Sequence, residues 1–204
     1  MNNEMRVIAS VLAIGISFVA YVPYVIDMFR GKNKPHIYSW TSIFLITCVV
    51  GYLQFVGGAG IGALPTLLGV ISYLVIIILC ARFGTKDIAT LDIVCLGLSI
   101  LGVLAYAALR SKPEVALLIV TFAELIGFMP TWRKTKNAPF SESLSSYYFL
   151  VAKLLLILVA LEKYNFLTVT NTVIWLVIML SFIGTTLFWR YGQGRVAIST
   201  AEIK

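Results

Sequence analysis

Glu124 and Lys153 are the residues of this chain most able to do chemistry, because each interrupts a long apolar run. At 1.5 Å per residue, each lies roughly 12–15 Å inside its helix. An ionised side chain at the centre of a bilayer costs at least about 2.5 kcal/mol, so such residues face the interior of a helix bundle or water. Two roles fit this pair. It could lock two helices together as a buried ion pair, or bind a charged or zwitterionic solute, with Glu124 taking up a proton when the pair opens. Asn171 and Trp175, four residues apart, place an amide beside an aromatic wall on one helix face. Ser17, Tyr21 and Tyr24 share a face of the first apolar run, as Glu124 and Phe128 share one of the fifth. Glu124, Lys153, Asn171, Trp175, Ser17 and Tyr21 are therefore the expected solute-binding residues. Gln54 stands near a run end, where it is expected to snorkel outward. Trp40, Trp132 and Trp189 also sit at run ends, where interfacial aromatic belts account for them.

A second constellation is polar and repeated. PYVIDMFRGKNKPHIYSW at 23–40 is echoed by PTWRKTKNAPFSESLSS at 130–146. Pro23 and Pro130 each remove an N–H and crowd the carbonyl four residues back, so each is a hinge or a static kink. Asp27 stands one turn before Arg30, and Glu142 follows Lys136, which offers ion pairs for a gate. Against that, Arg30, Lys32, Lys34, Arg133, Lys134 and Lys136 would each gain about 1 kcal/mol at anionic headgroups, so topology signal and lipid anchoring also explain them. His36, the only histidine, lies in this loop and reads as solvated. Pro65 falls within the third run without a counterpart in the seventh, and is expected to kink the first half alone.

The elements that position these residues are membrane helices. The chain of 204 residues is 60% hydrophobic and 12% charged, with mean hydropathy +0.95, far above the usage of soluble domains. A crossing helix needs about 20 mostly apolar residues. Seven such runs are present, at about 5–28, 38–57, 61–82, 88–109, 114–132, 146–162 and 166–190. The net charge of +7 does not indicate nucleic-acid binding, because the basic residues lie in short clusters between the runs rather than on one solvated face. With seven spans, Arg6, Arg110, Lys112 and Lys163 fall on one side and eleven other basic residues on the opposite side, leaving Lys153 within a span. Basic flanks favour the cytoplasm, which predicts the N-terminus outside and the C-terminus inside, in the plasma (cytoplasmic) membrane. The first run is too long for a signal peptide and lacks a small-residue cleavage site, so it is expected to be retained.

Three landmarks recur at nearly one offset: Pro23 with Pro130 and Ser39 with Ser146 at 107, and Arg82-Phe83-Gly84 with Arg190-Tyr191-Gly192 at 108. They divide the chain into a three-helix repeat (1–84), a linker helix (85–112), a second repeat (113–192) and a cytoplasmic tail (193–204). An odd linker helix makes the halves parallel repeats. The expected class is all-α integral membrane, with two parallel three-helix bundles. This pattern of a proline near the end of span one, a basic loop and a Ser-aromatic restart, repeated after one linker span, resembles the PQ-loop and SWEET group of small transporters. The resemblance is one of architecture: Pro23-Tyr24 and Pro130-Thr131 stand where that group often has Pro-Gln. It implies a central path between the bundles, with the two prolines as hinges in alternating access. That group also binds solute between tryptophan and asparagine side chains near the midplane, though its tryptophan is on another helix.

Transport of a small polar solute is the expected function. Sugar is suggested by the resemblance alone, while Glu124 and Lys153 point toward an amino acid, organic acid or vitamin-like solute. The alternative is a seven-helix receptor or sensor that binds without net flux. A Schiff-base pigment, with Lys153 linked and Glu124 as counter-ion, would need the lysine in the last span. No enzyme is expected: there is no midplane histidine, no carboxylate pair, no GxSxG or HExxH, and Gly57-Gly58-Ala59-Gly60 lacks the flanks of a phosphate loop. Cys48, Cys80 and Cys95 lie singly within apolar runs, so neither a metal site nor a disulfide framework is expected. No cofactor is implied; the expected partners are the solute and the lipid bilayer, and homo-oligomerisation is left open.

Overall fold

A computed structural model describes residues 2–31, 37–84, 90–109, 111–137, 139–140 and 144–202. Among these residues all regular structure is helical. Seven α-helices run in order: α1 (Asn3–Phe29), α2 (Ile37–Val56), α3 (Leu64–Phe83), α4 (Thr90–Ala108), α5 (Pro113–Asn137), α6 (Leu144–Ala160) and α7 (Phe166–Glu202). A short 3₁₀ turn, Gly60–Ala63, precedes α3. Five segments are long and apolar enough to cross a bilayer: Asn3–Ile26, Ile37–Val56, Gly60–Phe83, Pro113–Asn137 and Phe166–Gly192. The apolar stretches Ile93–Ala108 and Leu144–Ala160 are shorter. The chain is thus an all-helical protein of membrane type, with the seven helices expected from the apolar runs.

Two helix ends differ from the expected boundaries. α5 continues through Arg133-Lys134-Thr135-Lys136 to Asn137 instead of stopping at 132. Helix formation there is local, since Lys and Arg are good helix formers and Thr135 Oγ1 donates to the Thr131 carbonyl at 2.8 Å. α7 likewise runs to Glu202 rather than ending at 190. Pro65, expected as a kink, sits in the first turn of α3. Its missing N–H would have been unsatisfied there in any case, so the ring starts the helix instead of bending it.

Each apolar helix is divided between a packed face and an outward one. Along α1, Ile8, Val11, Leu12, Phe18, Val19 and Val22 are exposed, whereas Ala9, Ala13 and Met28 are buried. Such an outer apolar band suits lipid, where only the backbone needs internal satisfaction and the helix supplies it. In packing, α3 touches both α1 and α2, and α7 touches both α5 and α6. The two groups meet where α1 packs on α6 and α2 packs on α5, while α4 lies against α2 and α5. Ile46, Val49, Val50 and Leu53 of α2 bury against Leu117, Val120 and Ala123 of α5. Met28, Ile76 and Cys80 form a smaller core between α1 and α3.

At one end of the bundle the loop after α2 is seamed to the loop after α6. Glu162 N–H donates to the Ala59 carbonyl at 3.1 Å, Ile61 N–H donates to Glu162 Oε1 at 3.2 Å, and Asn165 Nδ2 donates to the Gly57 carbonyl at 2.6 Å. Ser10 Oγ of α1 joins the same seam through the Ile61 carbonyl at 2.9 Å. Glycine is required on geometric grounds. Gly58 and Gly60 have φ of 84° and 58°, a region costly for residues with a Cβ, and the backbone of Gly62 lies directly against that of Leu161.

Candidate functional site

A cavity of about 540 Å³ lies within the bundle, and every one of the seven helices contributes to its wall. Tyr21 comes from α1, Gln54 from α2, Tyr73 from α3, Cys95 from α4, Glu124 from α5, Lys153 from α6 and Asn171 with Trp175 from α7. Its lining runs from Gln54 and Thr172 to Ser39, Thr131 and Tyr147. The first two lie near the seam, and the last three near the α1–α2 and α5–α6 connections. The volume falls within the range of about 300–1,000 Å³ usual for small-molecule sites.

Helical spacing builds the polar wall of this cavity. Asn171 and Trp175, one turn apart on α7, reach the same carboxylate oxygen of α5: Asn171 Nδ2 donates to Glu124 Oε2 at 2.9 Å and Trp175 Nε1 at 2.6 Å. Asn171 Nδ2 also donates to Thr121 Oγ1 at 3.1 Å, using both hydrogens of its amide. Thr121 stands one turn before Glu124, so two positions of α5 meet two of α7. Phe128, one turn after Glu124, packs edge-on against Trp175 with ring centroids 5.6 Å apart. The carboxylate is therefore held by Oε2, while Oε1 has no partner among the described residues and is not sealed from the cavity.

Lys153 lines the same cavity and is only 9% exposed. It makes neither an ion pair nor a hydrogen bond with any described residue. The buried ion pair that the two charges could have formed is absent: they look into one void without touching. Of the remaining expected residues, Tyr21 reaches the cavity and donates to Tyr73 Oη at 3.0 Å. Ser17 does not reach it, because its hydroxyl turns back onto its own helix at the Ala13 carbonyl, 3.1 Å away. That back-bond is the ordinary use of a serine within a helix.

Gln54 corrects the expectation of snorkelling. It is 1% exposed, and its Nε2 donates to Thr172 Oγ1 of α7 at 3.2 Å, while its Oε1 is buried without a partner. Trp40 and Trp132 are half-buried members of aromatic clusters. Trp40 stacks with Tyr21, Tyr24 and Tyr73, and Trp132 with Phe128 and Phe182. Sequence reasoning passed over Tyr73 and Thr121; the 3-residue spacing of Thr121 from Glu124 was the available signal.

Of the expected hinge and gate residues, Arg30 is exposed and caps α1 with its backbone N–H on the Ile26 carbonyl. The backbone is helical at positions 23 and 130, so α1 and α5 continue past both prolines. The side chains of Pro23, Asp27 and Pro130, and the whole of Glu142, Lys32, Lys34 and His36, lie outside the described residues. Near the same end, Arg190 of α7 donates through Nε to the Pro139 carbonyl at 2.8 Å and lies over the Phe140 ring. Among the described residues, no three His, Cys, Asp or Glu side chains cluster as metal ligands do. No family model, no characterised protein and no solved structure matches this chain.

Proposed function

We propose that the protein is a membrane transporter that carries a small polar solute through the central cavity by alternating access, with no enzymatic chemistry. The observation that carries the reading is a void of solute size, walled by all seven helices and holding a carboxylate and an ammonium that do not neutralise one another. Buried charge of this kind is costly, and within membrane helices it marks substrate or ion pathways.

In this reading residues 1–84 and 113–192 are parallel three-helix repeats joined by the linker at 85–112, similar in plan to the PQ-loop and SWEET group. Support comes from the packing, which keeps its pattern when α1, α2 and α3 are exchanged for α5, α6 and α7: the third helix of each set contacts the other two, and the first of each set contacts the second of the other. Further support comes from Tyr21 and Phe128, 107 positions apart, each joined to an aromatic cluster beside the cavity. The N-terminus and the seam face outward and the C-terminus inward, in accord with the distribution of basic residues. The seam then closes the outer side, and solute entry from outside requires it to part.

Purified protein in proteoliposomes tests the reading through uptake of radiolabelled sugars, amino acids and organic acids. Saturable uptake of one class is expected, abolished in Glu124→Gln and Lys153→Met. Wild-type uptake by both variants would sink the assigned site, whereas saturable binding with no flux would make the protein a receptor. Cysteine labelling of intact cells checks orientation: Tyr164→Cys should react with an impermeant maleimide, and Arg30→Cys only after permeabilisation.

A further inference from the structure

The charges on the cavity wall define what fits it. Glu124 is clamped through Oε2 by Asn171 and Trp175, leaving Oε1 for a ligand donor. Lys153 projects from a different helix with all its donors unused, and the two groups share one void without an ion pair. A solute carrying only a negative charge would pair Lys153 but confront Glu124; one carrying only a positive charge would do the reverse. A neutral sugar would leave both charges buried without an ionic partner. Each mismatch is costly within a helix bundle, since leaving one member of a buried charge pair without its partner is strongly penalised.

We propose that the cavity binds a zwitterion with a neutral, apolar body, such as an α-amino acid with a hydrocarbon side chain, its ammonium on Glu124 and its carboxylate on Lys153. This rests on the reading of the cavity as a solute site and names the solute's class. The rest of the wall agrees: Ile43, Ile46, Val50, Leu150 and Leu154 offer an apolar bed for the side chain.

The test is calorimetric titration of the detergent-purified full-length chain with two matched series. Each comprises an amino acid (leucine or phenylalanine), its C-terminal amide, which keeps only the positive charge, and its N-acetyl form, which keeps only the negative one; glucose is added as the uncharged probe. At least one parent amino acid is expected to bind about 30-fold or more tightly than both of its derivatives, the loss anticipated when one member of a buried charge pair is left alone. Glu124→Gln should cease to discriminate against the N-acetyl form, and Lys153→Met against the amide. The wild-type series stands by itself should either variant fail to fold. Equal binding of a derivative and its parent, binding of glucose alone, or no binding of either amino acid at millimolar concentration overturns the proposal. Parallel flux measurements separate it from the transport reading. Leucine binding without leucine flux leaves the zwitterion site intact and removes transport, while glucose flux with no amino-acid binding does the opposite.

Discussion

Alanine at position 62 would place a Cβ 2.8 Å from both the N and Cα of Leu161. Those are backbone atoms, so no rotamer change relieves the contact; the two loops must move apart, against the bonds Glu162 N–H to Ala59 O and Ile61 N–H to Glu162 Oε1. Overpacking of this kind typically costs about 1–3 kcal/mol. For a chain of this size, each kcal/mol lowers the melting temperature by about 2–4 °C, so Gly62→Ala should melt roughly 2–12 °C below the parent protein. Gly184 provides the control. It lies within α7, is exposed, and a Cβ there meets nothing within 4 Å. Gly184→Ala should therefore stabilise by about 0.5–1 kcal/mol through helix propensity alone. Circular dichroism melts in one detergent, with both variants side by side, decide the matter. If Gly62→Ala melts with or above the parent while Gly184→Ala behaves as expected, the loops are not in backbone contact and the closed seam is wrong.

Three further outcomes follow from single contacts. Trp175→Phe keeps the ring against Phe128 but removes the donor 2.6 Å from Glu124 Oε2. Losing a hydrogen bond to a carboxylate costs about 1.5–3 kcal/mol, so the melting temperature should fall by roughly 3–12 °C; an unchanged melt would place the indole elsewhere. Asn165→Ala deletes the side chain that caps α7 at the N–H groups of Leu167 and Thr168 and ties it to Gly57. Loss of such a cap costs about 0.5–2 kcal/mol, seen as an earlier melt and faster hydrogen exchange at 166–168. The double variant Gln54→Met with Thr172→Val removes both partners of a buried bond, together with the orphaned Gln54 Oε1. It should be close to neutral or stabilising, and a large destabilisation would mean that Oε1 has a partner in the membrane.

Local rules in the chain were sufficient for the helices and for each helix's own faces. Seven apolar runs became seven helices because a buried or lipid-facing backbone must bond to itself, and the i, i+4 spacing of Asn171 and Trp175 did bring both donors to one target. Spacing within one helix cannot say which face meets which neighbour, and helices apolar all round carry no amphipathic stripe that separates a lipid face from a packed one. Tertiary packing alone therefore buried Gln54 against Thr172 and drew Trp40 and Trp132 into aromatic clusters with residues of other helices. It also decided the relation between the two central charges. That Glu124 and Lys153 are costly within a membrane is a property of their residue types; that they face one cavity from separate helices without pairing depends on the packing of α5, α6 and α7, which no local pattern encodes.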